Sequence, residues 1–195
     1  TLANGDTLFG AVRNGRFQPP SFPADLLPHA RQLERVPAGP TLRFVACAGD
    51  DKVVALRRDG SEAFALEGLS NPHDIDPLPD GGVLIADRGH GRVVEFGPDG
   101  EERWETDAAA DPVAAQRLPD GNTLITDLHG RQILEVTPAG AVVWKLEGLA
   151  MPIEVDRLAN GHTLLCEAET HRVVEVDAAG YIHWAFEGIT YPADA

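Results

Sequence analysis

The stretch that decides the fold is residues 112–151, which read PVAAQRLPDGNTLITDLHGRQILEVTPAGAVVWKLEGLAM. Residues 72–111 and 152–191 superpose on this stretch without a gap, at a spacing of 40 residues. The clearest coincidences are Leu78, Leu118 and Leu158, then Gly81, Gly121 and Gly161, then Glu95, Glu135 and Glu175, then Trp104, Trp144 and Trp184. Residues 52–68 keep the same register, so a less regular fourth copy precedes these three. A period of about 40 residues indicates a repeat architecture.

Each copy is predicted to form four short strands. In residues 112–151 the strands are 113–117, 123–127, 133–137 and 141–147, and turns rich in Pro, Gly, Asn and Asp separate them. In the last segment large apolar side chains recur at every second residue, which is the period of a half-buried strand. Four strands in each copy predict a β-propeller blade, a sheet that buries its faces only when neighbouring blades stack on it.

The repeat predicts a single all-β domain, 1–195, built as a propeller of about five blades. Four blades are expected near residues 28–71, 72–111, 112–151 and 152–191. The fifth is a composite of residues 192–195, which restart the repeat, and residues 1–27, whose first eight residues match 157–164. Such a ring is closed by the N- and C-terminal segments, because they pair the terminal edges. The alternative is that the chain is a trimmed piece of a larger propeller.

Composition narrows the classes of function. The chain has 195 residues, 43% hydrophobic residues and a formal net charge of −15. A field of that sign repels phosphate backbones, so no nucleic-acid partner is expected, and no apolar run is long enough to predict membrane insertion. Cys47 and Cys166 fall in separate repeats and are predicted to be reduced core residues.

The segment 117–125, RLPDGNTLI, together with ILEV at 133–136 and VVW at 142–144, resembles the repeats of arylsulfotransferase-like propellers. It resembles those of quinoprotein and NHL-type propellers more loosely. The resemblance covers residues 72–191 well and 28–71 weakly, and it implies the propeller fold. Together with the first residue, which is Thr1 rather than methionine, it favours an extracytoplasmic or secreted location.

The resemblance also implies a catalytic residue. Arylsulfotransferases pass a sulfuryl group through a histidine in the central funnel, with further histidine and arginine assisting. His73 occupies a plausible inner position here, and His29 is its possible counterpart in the first blade. Arg117 and Arg157 lie just beyond the inner strands and are the candidate cations. Read from the residues alone, His73 is either a general base oriented by Asp74 or a structural hydrogen-bonding residue.

Acidic residues recur on the first strand of the blades. Asp74, Glu154 and Asp194 occupy one aligned position, and Asp76, Gln116 and Asp156 occupy the position two residues on. If the first three carboxylates converge on the axis, they could bind calcium, which prefers oxygen ligands. The alternatives are that these acids cap turns, that they accept hydrogen bonds from the backbone of neighbouring blades, or that they line a water-filled acidic channel.

Other recurring residues favour structural roles. Asp87, Asp127 and Glu167 close the second strands, and Arg92, Gln132 and Arg172 open the third. Because these residues recur in successive blades, they are predicted to lock the connectors. The three tryptophans are predicted to fill the core between blades. The histidines of the connectors and of the fourth blade are expected to face solvent or to have no evident partner; they are His90, His129, His171, His162 and His183.

Two functions remain open. The first is a binding or scaffold propeller that uses its central channel mouth and irregular loops, above all residues 14–31, to bind a small molecule or a protein partner. The alternative is an arylsulfotransferase-like enzyme with His73 as the residue that accepts the sulfuryl group. The chain is expected to be a monomer or to self-associate through the incomplete blade.

Overall fold

The structure, a computed structural model, describes residues 30–33, 42–190 and 192. Within this part of the chain, strands form four four-stranded antiparallel sheets, each in simple chain order. Blade 1 contains β1 (Ala30–Leu33), β2 (Arg43–Cys47), β3 (Lys52–Leu56) and β4 (Glu62–Leu66). Blade 2 contains β5 (Pro72–Pro77), β6 (Val83–Asp87), β7 (Arg92–Phe96) and β8 (Glu102–Thr106). Blade 3 contains β9 (Pro112–Arg117), β10 (Thr123–Asp127), β11 (Gln132–Val136) and β12 (Val142–Glu147). Blade 4 contains β13 (Pro152–Arg157), β14 (Thr163–Glu167), β15 (Arg172–Val176) and β16 (Ile182–Glu187).

The hairpin turns explain why glycine recurs at a spacing of 40. In the turn between β9 and β10, Gly121 N–H donates to Leu118 O at 3.0 Å and Leu118 N–H donates to Asn122 O at 2.8 Å. This turn places Gly121 at φ 91°, where a residue with a Cβ is strained. Gly81 and Gly161 adopt φ 90° and 85° in the equivalent turns.

Apolar side chains from successive blades interdigitate to form the core. Leu84 and Val93 of blade 2 pack with Ile125 and Leu134 of blade 3, and all four are buried. The same positions of blade 3 pack on blade 4, in a cluster that includes Leu124, Ile133, Leu165 and Val174. Each blade thus has one face for the preceding neighbour and one for the following neighbour, so stability requires stacking.

The connector residues form the predicted locks. The buried carboxylate of Asp87 accepts hydrogen bonds from Arg92 Nε at 2.9 Å and from the backbone N–H of Ser70 at 2.7 Å. In blade 4 Glu167 accepts from Arg172 Nε at 2.5 Å and from Ala150 N–H at 2.7 Å. In blade 3 the same pair is Asp127 with Gln132, at 3.1 Å. Each acid therefore satisfies backbone donors of the segment that leads into its blade.

A second recurrent contact joins one blade to the next. The guanidinium of Arg117 in blade 3 lies 4.6 Å from the centre of the Trp104 ring and pairs with Glu95, both in blade 2, at 2.5 Å. The Trp104 indole N–H donates to Pro138 O at 2.9 Å. Arg157 of blade 4 repeats the arrangement over Trp144, at 5.0 Å. These arginines are therefore bound in inter-blade contacts, which combine cation–π attraction with an ion pair.

The predicted all-β architecture of four-stranded blades is confirmed for the described residues. Within residues 42–190 the blades do not form a closed ring. The predicted composite blade, residues 192–195 with 1–27, lies outside the described residues except for Pro192, and His29 and most of the predicted contact segment 14–31 lie outside them as well. Within the described part, no helix is long and apolar enough to cross a membrane. Cys47 and Cys166 are buried and form no disulfide, as predicted.

Candidate functional site

The polar side chains of the inner strands form a ladder from blade to blade. Asp74 Oδ2 accepts the backbone N–H of Ala115 at 2.8 Å, and Asp76 Oδ2 accepts that of Arg117 at 2.8 Å. One blade further on, Gln116 Oε1 accepts the N–H of Arg157, also at 2.8 Å. Inner strands of different blades are not paired in a sheet, so these side chains supply the hydrogen bonds that the backbone cannot make there.

The carboxyl group of Asp76 in this ladder has a raised pKa. Burial raises the pKa of Asp76 to about 6, and the nearby carboxylate of Asp156 adds to the rise, although the N–H of Arg117 opposes it. Asp156 in turn accepts a hydrogen bond from Gln116 Nε2 at 2.8 Å. The pKa of the Asp76 carboxyl therefore lies well above the usual value of an aspartate.

The predicted calcium ligands are placed only in part. Asp74 is buried, and its Oδ1 accepts the N–H of Ile75 at 2.8 Å while Oδ2 accepts that of Ala115. Glu154 Oε1 accepts the N–H of Val155 at 3.2 Å, and Asp194 lies outside the described residues. Within residues 42–190, no group of three or more His, Cys, Asp or Glu side chains is arranged to hold a metal ion. A calcium site that includes Asp194 stays a prediction.

A cluster of charged and polar side chains lies where the inner strands of blades 2 and 3 begin. We call it the His73 cluster, and its members are His73, Arg88, Asp111 and His129. Arg88 Nε lies 2.6 Å from Asp111 Oδ1, and its second nitrogen contacts Oδ2 at 3.1 Å, which makes a bidentate ion pair. His129 Nδ1 lies 3.1 Å from Asp111 Oδ2. His73 Nδ1 lies 2.7 Å from Val113 O. Asp111 is therefore the centre of the cluster.

The neighbours of Asp111 in the cluster stabilise its negative charge. Burial alone raises the pKa of this carboxyl, but the hydrogen bonds and charge of Arg88 and the charges of His129 and His73 outweigh burial. The pKa of Asp111 therefore lies below its usual value. Because a carbonyl oxygen only accepts hydrogen bonds, Nδ1 of His73 carries the proton that goes to Val113 O.

None of the four cluster residues recurs at the equivalent position of a neighbouring blade. Residues at the equivalent positions of the neighbouring blades are Val113 and Ile153 for His73, Leu128 and Ala168 for Arg88, Asn71 and Met151 for Asp111, and Gly89 and Glu169 for His129. The sequence pattern predicts His73 as a site residue and His129 as a solvent-facing residue, but it does not indicate Arg88 or Asp111. The signal for these two is weak, because the residues at their equivalent positions vary from blade to blade.

Two expectations about histidines are wrong. His162 Nδ1 lies 2.7 Å from Glu175 Oε1, and His183 Nε2 lies 2.9 Å from Asp177 Oδ2, so each imidazole has a carboxylate partner. The two rings also contact each other, with centroids 4.6 Å apart. The repeat could not predict these contacts, because they form within blade 4 alone. Glu175 belongs to its third strand, and Asp177 to the turn that follows that strand.

Comparison with known proteins gives the fold. No protein-family model matches the chain, and no curated protein matches it. The chain is similar to virginiamycin B lyase from Staphylococcus aureus, with 15% identity and a TM-score of 0.67, over 83% of this chain and 57% of that chain. It is similar to a chain of a nidogen/laminin complex, with 21% identity and a TM-score of 0.64, over 75% of this chain and 59% of that one.

A third similar structure is a protein of unknown function from Bacteroides caccae, with 19% identity and a TM-score of 0.64, over 76% of this chain and 57% of that chain. The WD40 β-propeller domain of Doa1 is also similar, with a TM-score of 0.65. The chain thus spans less than two thirds of the length of these proteins. At this level of identity the likeness establishes the architecture alone: the described residues form part of a β-propeller.

Proposed function

We propose that this chain is a β-propeller binding module, and that the His73 cluster marks the position where it engages a small ligand or a protein partner. The observation that carries the proposal is that His73, the Arg88–Asp111 ion pair and His129 lie together at positions where the neighbouring blades carry other residues. Repeated residues serve the stacking of blades, whereas a specific ligand requires a position that occurs once.

The inner-strand ladder supports this location. Asp74, Asp76 and Gln116 each accept a hydrogen bond from the backbone of the next blade, so these side chains contribute to the stacking of blades. His129, in contrast, belongs to a connector, and its side chain is 80% exposed. Exposed connector residues held by a rigid scaffold commonly make binding contacts. One similar structure comes from a nidogen/laminin complex, which supports a binding role for this architecture.

The experiment is a thermal-shift screen of the purified full chain against small organic anions, with 4-nitrophenyl sulfate as one defined probe. A ligand that binds the folded state raises the Tm with increasing concentration. We expect this rise to be lost in His73→Ala and in His129→Ala. His183→Ala in blade 4 is the matched control and should keep the rise. A ligand whose effect survives both cluster variants would place binding elsewhere and contradict the proposal.

The geometry of His73 favours a second candidate, an arylsulfotransferase-like activity. The hydrogen bond from Nδ1 to Val113 O orients the ring, and in a neutral imidazole with this tautomer the nucleophilic lone pair belongs to Nε2. In the first step Nε2 attacks the sulfur of an aryl sulfate, the S–O bond to the aryl oxygen breaks, and the phenolate leaves with that electron pair. An acceptor phenol then forms the new S–O bond, its proton passes to solvent, and the N–S bond breaks back onto Nε2.

The second candidate is tested with 4-nitrophenyl sulfate as donor and phenol as acceptor, by the absorbance of released 4-nitrophenolate. The activity predicts release that depends on phenol, that is abolished in His73→Ala, and that is retained in His183→Ala. Absence of release by the unaltered protein would remove this candidate. It would leave the binding proposal in place, because the thermal-shift screen does not depend on turnover.

A further inference from the structure

A glutamate of the third strand lies opposite a tryptophan of the fourth strand in three successive blades. The directly paired residues are Glu95 with Trp104, Glu135 with Trp144, and Glu175 with Trp184. Residues that lie directly opposite each other in an antiparallel pair project from the same face of the sheet. Each of these three blades therefore presents a carboxylate beside an indole ring.

In blades 2 and 3 this pair holds an arginine of the following blade. The guanidinium of Arg157 lies 5.0 Å from the centre of the Trp144 ring, and its terminal nitrogen lies 2.9 Å from Glu135 Oε2. Arg117 makes the same two contacts with the pair of blade 2. The face of an aromatic ring and a carboxylate together match the flat and positively charged guanidinium.

Blade 1 lacks the pair, and the blade that follows it lacks the arginine. The residues opposite each other in blade 1 are Ala55 and Phe64. The residue of blade 2 at the position of Arg117 and Arg157 is Pro77. Among the three blade junctions that the structure describes, the pair and the arginine thus occur together or are both replaced. This association indicates that the pair serves to recognise an arginine.

The pair of blade 4 is accessible. Trp184 is 48% exposed, and with Glu175 it lines a concave surface of about 500 Å³, which we call the blade 4 face. The other lining side chains are apolar, namely Leu158, Leu164, Val173 and Phe186. Within residues 42–190, no guanidinium lies over the Trp184 ring, and neither its indole N–H nor Glu175 Oε2 has a hydrogen-bond partner.

Glu175 is held in the same way as a glutamate that binds arginine. Its Oε1 accepts hydrogen bonds from Asn160 Nδ2 at 3.1 Å and from His162 Nδ1 at 2.7 Å. These bonds lower the pKa of Glu175, so its carboxylate is charged at neutral pH. Glu135 Oε1 likewise accepts from Asn122 Nδ2, at 2.8 Å, while its Oε2 pairs with an arginine. Oε2 of Glu175 is therefore the oxygen in position to pair with a guanidinium.

The two described arginines also define the segment that carries them. Arg157 ends an extended strand, and Val155, two residues earlier, is buried in the cluster with blade 3. Arg117 and Ala115 have the same relation to blade 2. Because alternate residues of a strand share a face, an apolar residue two positions before the arginine reaches the same surface.

Charge favours a separate protein as the source of this segment. In the composite blade expected from the sequence, the residue at the arginine position is Thr1, whose side chain is uncharged. The chain has a formal net charge of −15, which attracts a basic partner.

We propose that the blade 4 face is a docking surface for a partner protein, and that it recognises an extended segment with an arginine two residues after an apolar residue. The guanidinium lies over Trp184 and pairs with Glu175 Oε2, and the apolar side chain packs on Leu164 and Val173. The inference is independent of the function proposed for the His73 cluster, which lies between blades 2 and 3.

The test is an NMR titration of the isotope-labelled full chain with the capped peptide IEVDRL, the sequence of residues 153–158. The chain has three tryptophans, and Trp184→Phe assigns the indole N–H signal of Trp184. We expect this signal to move with peptide concentration, while the signals of Trp104 and Trp144 stay in place. Citrulline has nearly the shape of arginine without its charge. A peptide with citrulline at the arginine position should bind about tenfold more weakly.

Two variants separate the recognition of charge from apolar contact. Glu175→Gln keeps an oxygen that accepts hydrogen bonds from Asn160 and His162, and it should bind the arginine and citrulline peptides about equally. Glu187→Gln is the matched control, because it removes the same charge from blade 4 on the face of β16 opposite to Trp184. It should keep the preference for arginine. Unchanged signals of the other two tryptophans report that each variant is folded.

Four results would overturn the proposal. A Trp184 signal that does not move at millimolar peptide would show that the blade 4 face does not accept such a segment. Equal affinity of the unaltered protein for the two peptides would show apolar contact without recognition of arginine. A preference that persists in Glu175→Gln would place the guanidinium elsewhere. A Trp184 signal that moves with protein concentration in the absence of peptide would assign the face to a second copy of the chain.

Discussion

Replacing Asp76 by asparagine should remove a loss of stability that the unaltered protein undergoes as the pH rises. Burial raises the pKa of Asp76 from 3.8 to about 6. The folded state therefore holds this proton between about pH 4 and 6 more tightly than the unfolded state, and the free energy of unfolding falls as pH rises through that window. A rise of roughly 2 pKa units corresponds to about 3 kcal/mol lost by pH 7. The asparagine side chain of the variant would be neutral at every pH, and its amide oxygen could still accept the N–H of Arg117.

The measurement is urea unfolding of Asp76→Asn and of the unaltered protein at several pH values from 4 to 8. We expect similar stabilities near pH 4 and a variant more stable by about 2 kcal/mol near pH 8, since loss of a charge-assisted hydrogen bond offsets part of the gain. Asp80→Asn is the control with the opposite sign, because the N–H of Gly82 and the Arg103 guanidinium lower the pKa of Asp80. Parallel pH curves for Asp76→Asn and the unaltered protein would refute the reasoning.

Three further predictions concern a connector contact, a contact between blades and the predicted calcium site. Asp127→Ala leaves the backbone N–H groups of Asp111 and Gly130 without their acceptor. In urea titration it should therefore lower the free energy of unfolding by about 3 kcal/mol. A loss below about 1 kcal/mol would contradict the structural role of this connector carboxylate. Arg157→Lys should lower the free energy of unfolding by about 1 kcal/mol, because lysine lacks the planar guanidinium that lies over Trp144 and pairs with Glu135 at the same time. Arg157→Ala should lower it further in the same urea titration. Equal stability of the Lys variant and the unaltered protein would contradict this account. If the carboxylates of Asp74, Glu154 and Asp194 bind calcium, millimolar calcium should raise the Tm, and the same concentration of magnesium serves as the comparison. A Tm that does not change with calcium would count against the site.

The repeat made much of the fold predictable. Strand positions in blade 3 follow from apolar alternation and turn glycines, which are local properties that repeat every 40 residues. The connector lock of Asp87 with Arg92 was predicted for the same reason. Trp104 and Trp144 fill the core between blades as expected, but Trp184 is half exposed, because no described residue covers the following face.

The candidate site was less predictable. His73 could be chosen by its residue type, but Asp111 precedes the next inner strand and Arg88 belongs to a connector of the blade before it. Their bidentate pair depends on how blades 2 and 3 stack, which no local pattern encodes. The sequence leaves several roles open for Asp74 and Asp76, and only the tertiary structure shows that both accept backbone N–H groups of blade 3.

The amino-acid sequence by itself determined the blade: its four strands, its turns and the spacing at which it recurs, because alternation and backbone conformation act between residues close in the chain. The tertiary structure alone decided which side chains of different blades meet. Hydrogen bonds and ion pairs require atoms within about 3 Å, and the stacking of sheets creates such distances between residues far apart in sequence. The ladder of inner strands and the His73 cluster both arise at that level.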